Sequence, residues 1–276
     1  MSYPQTLPAD RASHTPAPEA QPGFLIVNAD DWGRDVRTTD MILACAQRGA
    51  VSSVSAMVFM EDSERAAGIA AAHGIDTGLH LNFTSPLTAP DRFSRLAEHQ
   101  RRLTAHLRRH RWAQTVFHPG LTRSFQYVVA AQIDEYRRLY GAEPRRLDGH
   151  HHMHLCANVL LQRLLPAGTL VRRNFSFQAG EKGAHNRLYR RSIDAVLARR
   201  HHLTDYLFNL VPLDNADRLQ RIVALGRTGI VELETHPVAP EEYRFLHGGE
   251  IFRRIGSTRI APASLLHEVR GPRGNQ

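Results

Sequence analysis

Arg145-Arg146-Leu147-Asp148-Gly149-His150-His151-His152-Met153-His154 runs from a short strand candidate into a carboxylate, a glycine and four histidines. The reading of this stretch decides the fold, because a strand that ends in metal-ligating side chains belongs to an architecture that gathers strand ends. Taken alone, a histidine-rich run is equally well a surface tract. Three other strand candidates carry the same kinds of side chain. Asp30 and Asp31 follow Phe24 to Asn28, His80 lies in Asp76 to Leu81, and His236 follows Gly229 to Leu233. Carboxylates and imidazoles collected in this way point to a hydrolytic metal centre.

Working outward, short apolar runs rich in β-branched residues alternate with stretches of helical period, which is an α/β rhythm. The remaining strands are predicted at Val51 to Phe59, Thr169 to Arg172 and Thr204 to Phe208, with Arg145 to Asp148 as the fourth of seven. Helices are expected from a Thr38-Thr39-Asp40 cap to Gly49, from Asp62-Ser63 to Gly74, and over Ser124 to Tyr140, Leu155 to Leu165, Asn186 to His201 and Asn215 to Thr228. A helix over Leu96 to Arg111 breaks the rhythm and reads as an insertion, spanning 90–122, where a substrate-covering lid could form. Seven presumed parallel strands suit a (β/α) barrel, closed or distorted, or an open doubly wound sheet. The polar residues favour the barrel, because its strand ends converge on one mouth whereas an open sheet separates its first and seventh strands.

Composition bounds the rest. With 276 residues and 42% hydrophobic content the chain buries a large core, and a single domain over 23–270 is favoured. Residues 1–22 hold Pro4, Pro8, Pro16, Pro18 and Pro22 without an apolar run and read as a disordered leader. Neither a secretory signal nor a membrane span is legible, so a cytoplasmic protein is expected. Cys45 and Cys156 are expected to be buried, reduced and structural. The formal charge of +8 concentrates in Arg95, Arg101, Arg102, Arg108, Arg109 and Arg111, with Arg172, Arg173, Arg190 and Arg191 further on. Solvated helix faces are the preferred explanation, and without an accompanying motif no nucleic-acid partner is expected.

Each candidate has an ordinary alternative. Adjacent Asp30 and Asp31 repel one another and would welcome a cation, but one could cap a helix while the other is solvated. A lone His80 in an apolar strand is usually a satisfied core residue. Continued alternation would put His150, His152 and His154 on one face, whereas a helix would pair His150 with His154, and sequence leaves both open. His236 precedes Pro237, which restricts it to extended or turn backbone, and a loop histidine commonly has no role.

Four segments in order carry a family resemblance: Ile26-Val27-Asn28-Ala29-Asp30-Asp31-Trp32-Gly33, Gly78-Leu79-His80-Leu81, Leu147-Asp148-Gly149-His150-His151-His152-Met153-His154 and Glu234-Thr235-His236-Pro237. With Val51-Ser52-Ser53-Val54-Ser55-Ala56-Met57 they make the chain similar to the YdjC-type carbohydrate deacetylases. The resemblance implies a (β/α) barrel, a divalent metal on Asp31, His80 and His150, and Asp30 as general base. It also implies removal of an N-acetyl group from a sugar, either an oligosaccharide or a glycolipid. His236 matches the family's histidine before proline and is the candidate general acid. Trp32 stands where phenylalanine is usual and Gly149 where serine is usual, and the pattern fades after residue 240 and within 90–122.

On this reading Asp148 orients one of the histidines, His152 and His154 lie near the site, and Trp32, Phe83 or Trp112 offers a ring to a sugar, with core packing the preferred use of the phenylalanine. Two imidazoles and a carboxylate suit Zn2+ better than Mg2+, though Mg2+ stays open. A homodimer is compatible. The alternatives are a metal-dependent phosphoester hydrolase and a non-catalytic binder of an anionic polymer.

Overall fold

The structure is a computed structural model that describes residues 23–89, 94–110, 112–177 and 181–271. The leader expected over 1–22, the start of the insertion at 90–93 and Arg111 lie outside the described residues.

Seven strands form one parallel sheet: β1 (Phe24–Trp32), β2 (Ser53–Ala56), β3 (Thr77–Leu81), β4 (Arg146–Gly149), β5 (Leu170–Val171), β6 (Tyr206–Asn209) and β7 (Ile230–Thr235). Their order is β5-β4-β3-β2-β1-β7-β6, so β2 is central and the first strand lies inside the sheet between β2 and β7. Between β5 and β6 the gap is spanned by the Val171 N–H donating to His202 O at 2.9 Å and the Ser176 N–H donating to Leu207 O at 2.8 Å. The result is a distorted (β/α) barrel. Every residue of β1 is buried, as expected of a parallel strand covered on both faces.

All seven predicted strands are present, and the helices alternate with them. These are α1 (Val36–Gln47), α2 (Ser63–His73), α3 (Ser94–Leu107), α4 (Thr122–Tyr140), α5 (Ala157–Leu161), α6 (Ala184–Leu197) and α7 (Ala216–Thr228). The cap of α1 is Asp35, whose carboxylate accepts from the Thr38 N–H at 2.8 Å, and not the Thr38-Thr39-Asp40 run. α5 is shorter than Leu155 to Leu165, because tight turns occupy His150–Leu155 and Arg163 has a left-handed φ of 54°. α3 lies within the predicted insertion. Its Leu96, Leu103 and Leu107 are buried, and Thr104 Oγ1 donates to Phe83 O at 2.9 Å, so it is tied down as a side wall of the barrel.

Beyond residue 240, α8 (Pro240–His247), α9 (Glu250–Ile255) and α10 (Leu265–Arg270) were not anticipated. Ala261, Ala263 and Leu266 pack with Phe24, Ile26, Leu170 and Ile230 near the starts of β1, β5 and β7, and so plug the barrel end opposite the site. Among the described residues no helix is long and apolar enough to cross a membrane.

Candidate metal centre

A break in β1 creates the site. Its pairing with β2 is regular at Ala29↔Val54 and resumes at Trp32↔Ala56 after a register shift, and Asp31 has a left-handed φ of 69°. In a regular strand, neighbouring side chains point to opposite faces. The irregularity re-aims Asp31, so that two adjacent carboxylates reach the same mouth.

Asp31, His80 and His150 converge, with one ligand atom from each lying within 4.8 Å of the others. Asp31 Oδ1 is 3.0 Å from His150 Nδ1 and 3.5 Å from His80 Nε2, while Asp31 Oδ2 accepts from Arg34 at 3.1 Å. Asp31 Oδ1 and His80 Nε2 are buried and have no hydrogen-bond partner. Unsatisfied atoms of that kind are expensive in a folded interior, and a cation between them would satisfy both. His80 and Asp148 are neighbours in the β3–β4 register, and His80 Nδ1 lies 2.7 Å from Asp148 Oδ1. That contact orients the ring and, in the neutral imidazole, places the proton on Nδ1 and leaves Nε2 free to ligate.

Charge supports the same fit. Asp30, Asp31, Asp148, Glu232 and Glu234 are buried, whereas Arg146 and Arg172 are the buried guanidiniums beside them. The excess of negative charge suits a dication. Burial opposes charge on His80, but the carboxylates of Asp30 and Asp148 overcome it and push the imidazole up to about 9. Burial likewise opposes ionisation of Asp31, and the His150 imidazole 3.0 Å away, with the field of His80, holds it well below the usual carboxylate range.

Arg172 is the residue that sequence reasoning misplaced. Read there as surface charge, it is 1% exposed at the centre of the barrel. Its guanidinium grips Asp30 with two bonds, of 2.6 Å to Oδ2 and 2.7 Å to Oδ1, and also reaches Asp148 at 3.0 Å, Glu232 at 2.8 Å and Glu234 at 3.1 Å. Burial opposes ionisation of Asp30, yet Arg172 holds its carboxyl below the usual range. Asn28 also donates to Asp30 Oδ1 at 2.8 Å. A carboxylate oxygen has about two lone-pair sites, so Oδ1 is saturated and Oδ2 retains one. Two signals were available in the sequence: Arg172 ends a strand, and Glu232 and Glu234 are two apart on another, hence on one face.

The histidine run adopts neither of the arrangements considered for it. His151 and His152 have left-handed φ values of 55° and 57°, so the three alternate histidines diverge. His150 goes to Asp31. His152 Nε2 lies 3.1 Å from Glu234, and His154 Nε2 is buried 2.9 Å from Arg172 O. His236 is half-buried, with a ligand atom within 4.8 Å of Asp30 and Glu234, and its backbone N–H donates to Glu242 at 2.8 Å. Trp32 and Phe83 are 0% exposed and therefore pack the core, with no face to offer a sugar. Trp112 is exposed and lines a cleft with His151 and His152. Cys45 and Cys156 are free and buried, and burial pushes both thiols up to about 12.

A barrel of parallel strands with acidic and imidazole side chains at the C-terminal strand ends defines a class of α/β proteins built for chemistry at the mouth. Within it, the chain belongs to the family described as YdjC-like protein, whose profile matches residues 24–257. The "Carbohydrate deacetylase" of Mus musculus is 31% identical over 147 residues, covering 49% of this chain and 44% of the mouse protein. The "Chitooligosaccharide deacetylase" of an Enterobacter species is 28% identical over 140 residues, covering 48% of this chain and 50% of that one. These alignments thus span about half the length of the curated relatives. A crystal structure from Enterococcus faecalis, of a candidate cellobiose-phosphate cleavage protein, superposes with a TM-score of 0.61 at 16% identity, covering 88% of this chain and 98% of the other, which attests the fold.

Proposed function

We propose that this chain is a metal-dependent carbohydrate N-deacetylase, hydrolysing the acetamide of an N-acetylated sugar to acetate and a free amine. The observation that carries the reading is the pair of unsatisfied buried atoms, Asp31 Oδ1 and His80 Nε2, facing His150 beside an arginine-clamped Asp30. Kinship with proteins named carbohydrate deacetylases supplies the substrate class.

Asp31, His80 and His150 would hold the ion, and their two nitrogens and one oxygen favour Zn2+ over Mg2+. When bound, a divalent ion supplies Lewis-acid polarisation of the acetyl carbonyl and acidification of water. The chain's own residues do the rest. Asp30 accepts the proton of the attacking water at Oδ2, the oxygen with a lone pair to spare, while Arg172 keeps the carboxylate ionised and fixes its plane. Asp148 orients His80. His236, near Asp30 and Glu234, donates a proton to the amine nitrogen as the C–N bond breaks.

The test is product analysis of metal-loaded protein with N-acetylated sugars and with sugar phosphates. Acetate and amine in equal amounts establish the reading. Release of inorganic phosphate with no acetate overturns it in favour of a phosphoester hydrolase.

A further inference from the structure

Beside the metal centre lies a cleft of about 280 Å³ whose lining the proposed chemistry does not use. Its walls come from three places: Trp112 of the insertion, Phe175 after β5, and Asn186, Tyr189 and Arg190 of α6. Asn186 precedes Tyr189 and Arg190 by three and four residues, so all three share one face of the helix. His152 joins the cleft to the reacting centre. Its ring lies 4.6 Å from that of Phe175, and its Nε2 is 3.1 Å from Glu234, which in turn contacts Arg172, the clamp on Asp30.

The lining selects a kind of ligand. Trp112 and Tyr189 are 59% and 46% exposed, large aromatic surfaces left in water at the rim of a site. Between them stand amides and a braced guanidinium. Arg190 donates to Asn186 Oδ1 at 2.9 Å and to Asn174 Oδ1 at 3.4 Å, and lies 5.1 Å over the Phe177 ring. An anion site would gather several fixed cations, whereas among the described residues this cleft is lined by one arginine, engaged by two amides, and by two histidines. A purely apolar ligand would desolvate those amides without replacing their bonds. Aromatic faces interleaved with amide donors and acceptors match a pyranose, which has apolar C–H faces and a hydroxylated edge. The volume lies just below the usual range for small-molecule sites, roughly 300–1,000 Å³, and suits one ring.

We infer that this cleft is a subsite for the sugar ring adjacent to the one deacetylated, with Trp112 and Tyr189 as specificity-determining residues that make the chain select N-acetylated oligosaccharides over monosaccharides. The inference rests on the proposed deacetylase activity for its biological meaning and for the kinetic arm of its test, whereas the binding arm stands without it. The chain has two tryptophans, and Trp32 is fully buried, so a ligand in the cleft alters the emission of Trp112.

The experiment titrates N,N′-diacetylchitobiose and N-acetylglucosamine into full-length Asp30→Asn protein, following tryptophan fluorescence. In parallel, kcat and KM for both sugars are measured on wild type, Trp112→Ala and Tyr189→Ala. The disaccharide is expected to change the emission at concentrations at least tenfold lower than the monosaccharide. Each alanine variant is expected to raise KM for the disaccharide about tenfold more than for the monosaccharide, with kcat changed less than threefold. Binding of the disaccharide without acetate release sustains the subsite and sinks the activity. Acetate release with no emission change, or with equal KM effects on both sugars, overturns the subsite and leaves the activity standing.

Discussion

Arg172 is shared by four buried carboxylates, Asp30, Asp148, Glu232 and Glu234, so its loss is felt across the whole site. Removing one partner of a buried ion pair strands the others and costs on the order of 3–5 kcal/mol. Arg172→Met is therefore expected to lower unfolding free energy by at least ~3 kcal/mol in urea titration, and a loss below ~1 kcal/mol would show that the network is not held by this residue. His154 gives a pH signature. Burial lowers its imidazole to about 3, against an unfolded value near 6.5. Below ~6.5 the unfolded chain binds a proton that the folded chain refuses. Its stabilising contribution is thus complete above that pH and is lost progressively as pH falls toward 3. Between pH 7.5 and pH 5 the wild type should lose about 2 kcal/mol more than His154→Gln. Parallel losses in the two proteins would contradict the buried, neutral assignment.

At the scale of elements, strand register turns separate residues into a ligand set. β3 and β4 pair His80 with Asp148, so Asp148→Asn should weaken metal binding about 10–100-fold in competition with a chromogenic chelator, with the unfolding midpoint as control. Affinity unchanged within threefold would mean that His80 needs no such support. Gly149 ends β4, and a Cβ there would meet the His154 backbone N at 3.0 Å and Leu81 O at 3.1 Å. Gly149→Ser should accordingly destabilise this chain by roughly 1–3 kcal/mol. A Gly149→Ser protein as stable as wild type would show that the strand ends relax freely.

The elements also show what sequence could reveal. All seven strands were legible from apolar runs and the gathering of polar residues at their ends. The left-handed turns at His151 and His152 were not, because alternation and helical period each assume regular backbone and this segment has neither. Arg172 was misread because an arginine in a basic chain looks like surface charge until its four carboxylate partners, 60 or more residues distant for Glu232, Glu234 and Asp30, are brought to it by the closing sheet. The helices after residue 240 went unread because their tasks, packing α8 and α9 into the main core and plugging the far end of the barrel with the segment around α10, concern shape and not chemistry.

On the scale of the molecule, the curled sheet brings the end of β1 beside the ends of β3, β4 and β7, and so joins a ligand set, a clamped carboxylate and a nearby histidine. The most direct test of that account is acetate and amine release from N-acetylated sugars by wild type and Asp30→Asn at equal, measured metal content. General-base catalysis is commonly worth 10²–10⁴-fold, so the account predicts metal-dependent release by the wild type and a loss of kcat of at least about a hundredfold in the variant, with metal affinity retained. Wild-type release that survives Asp30→Asn within a few-fold would contradict the role assigned to Asp30, and release indifferent to chelation would contradict the metal centre itself.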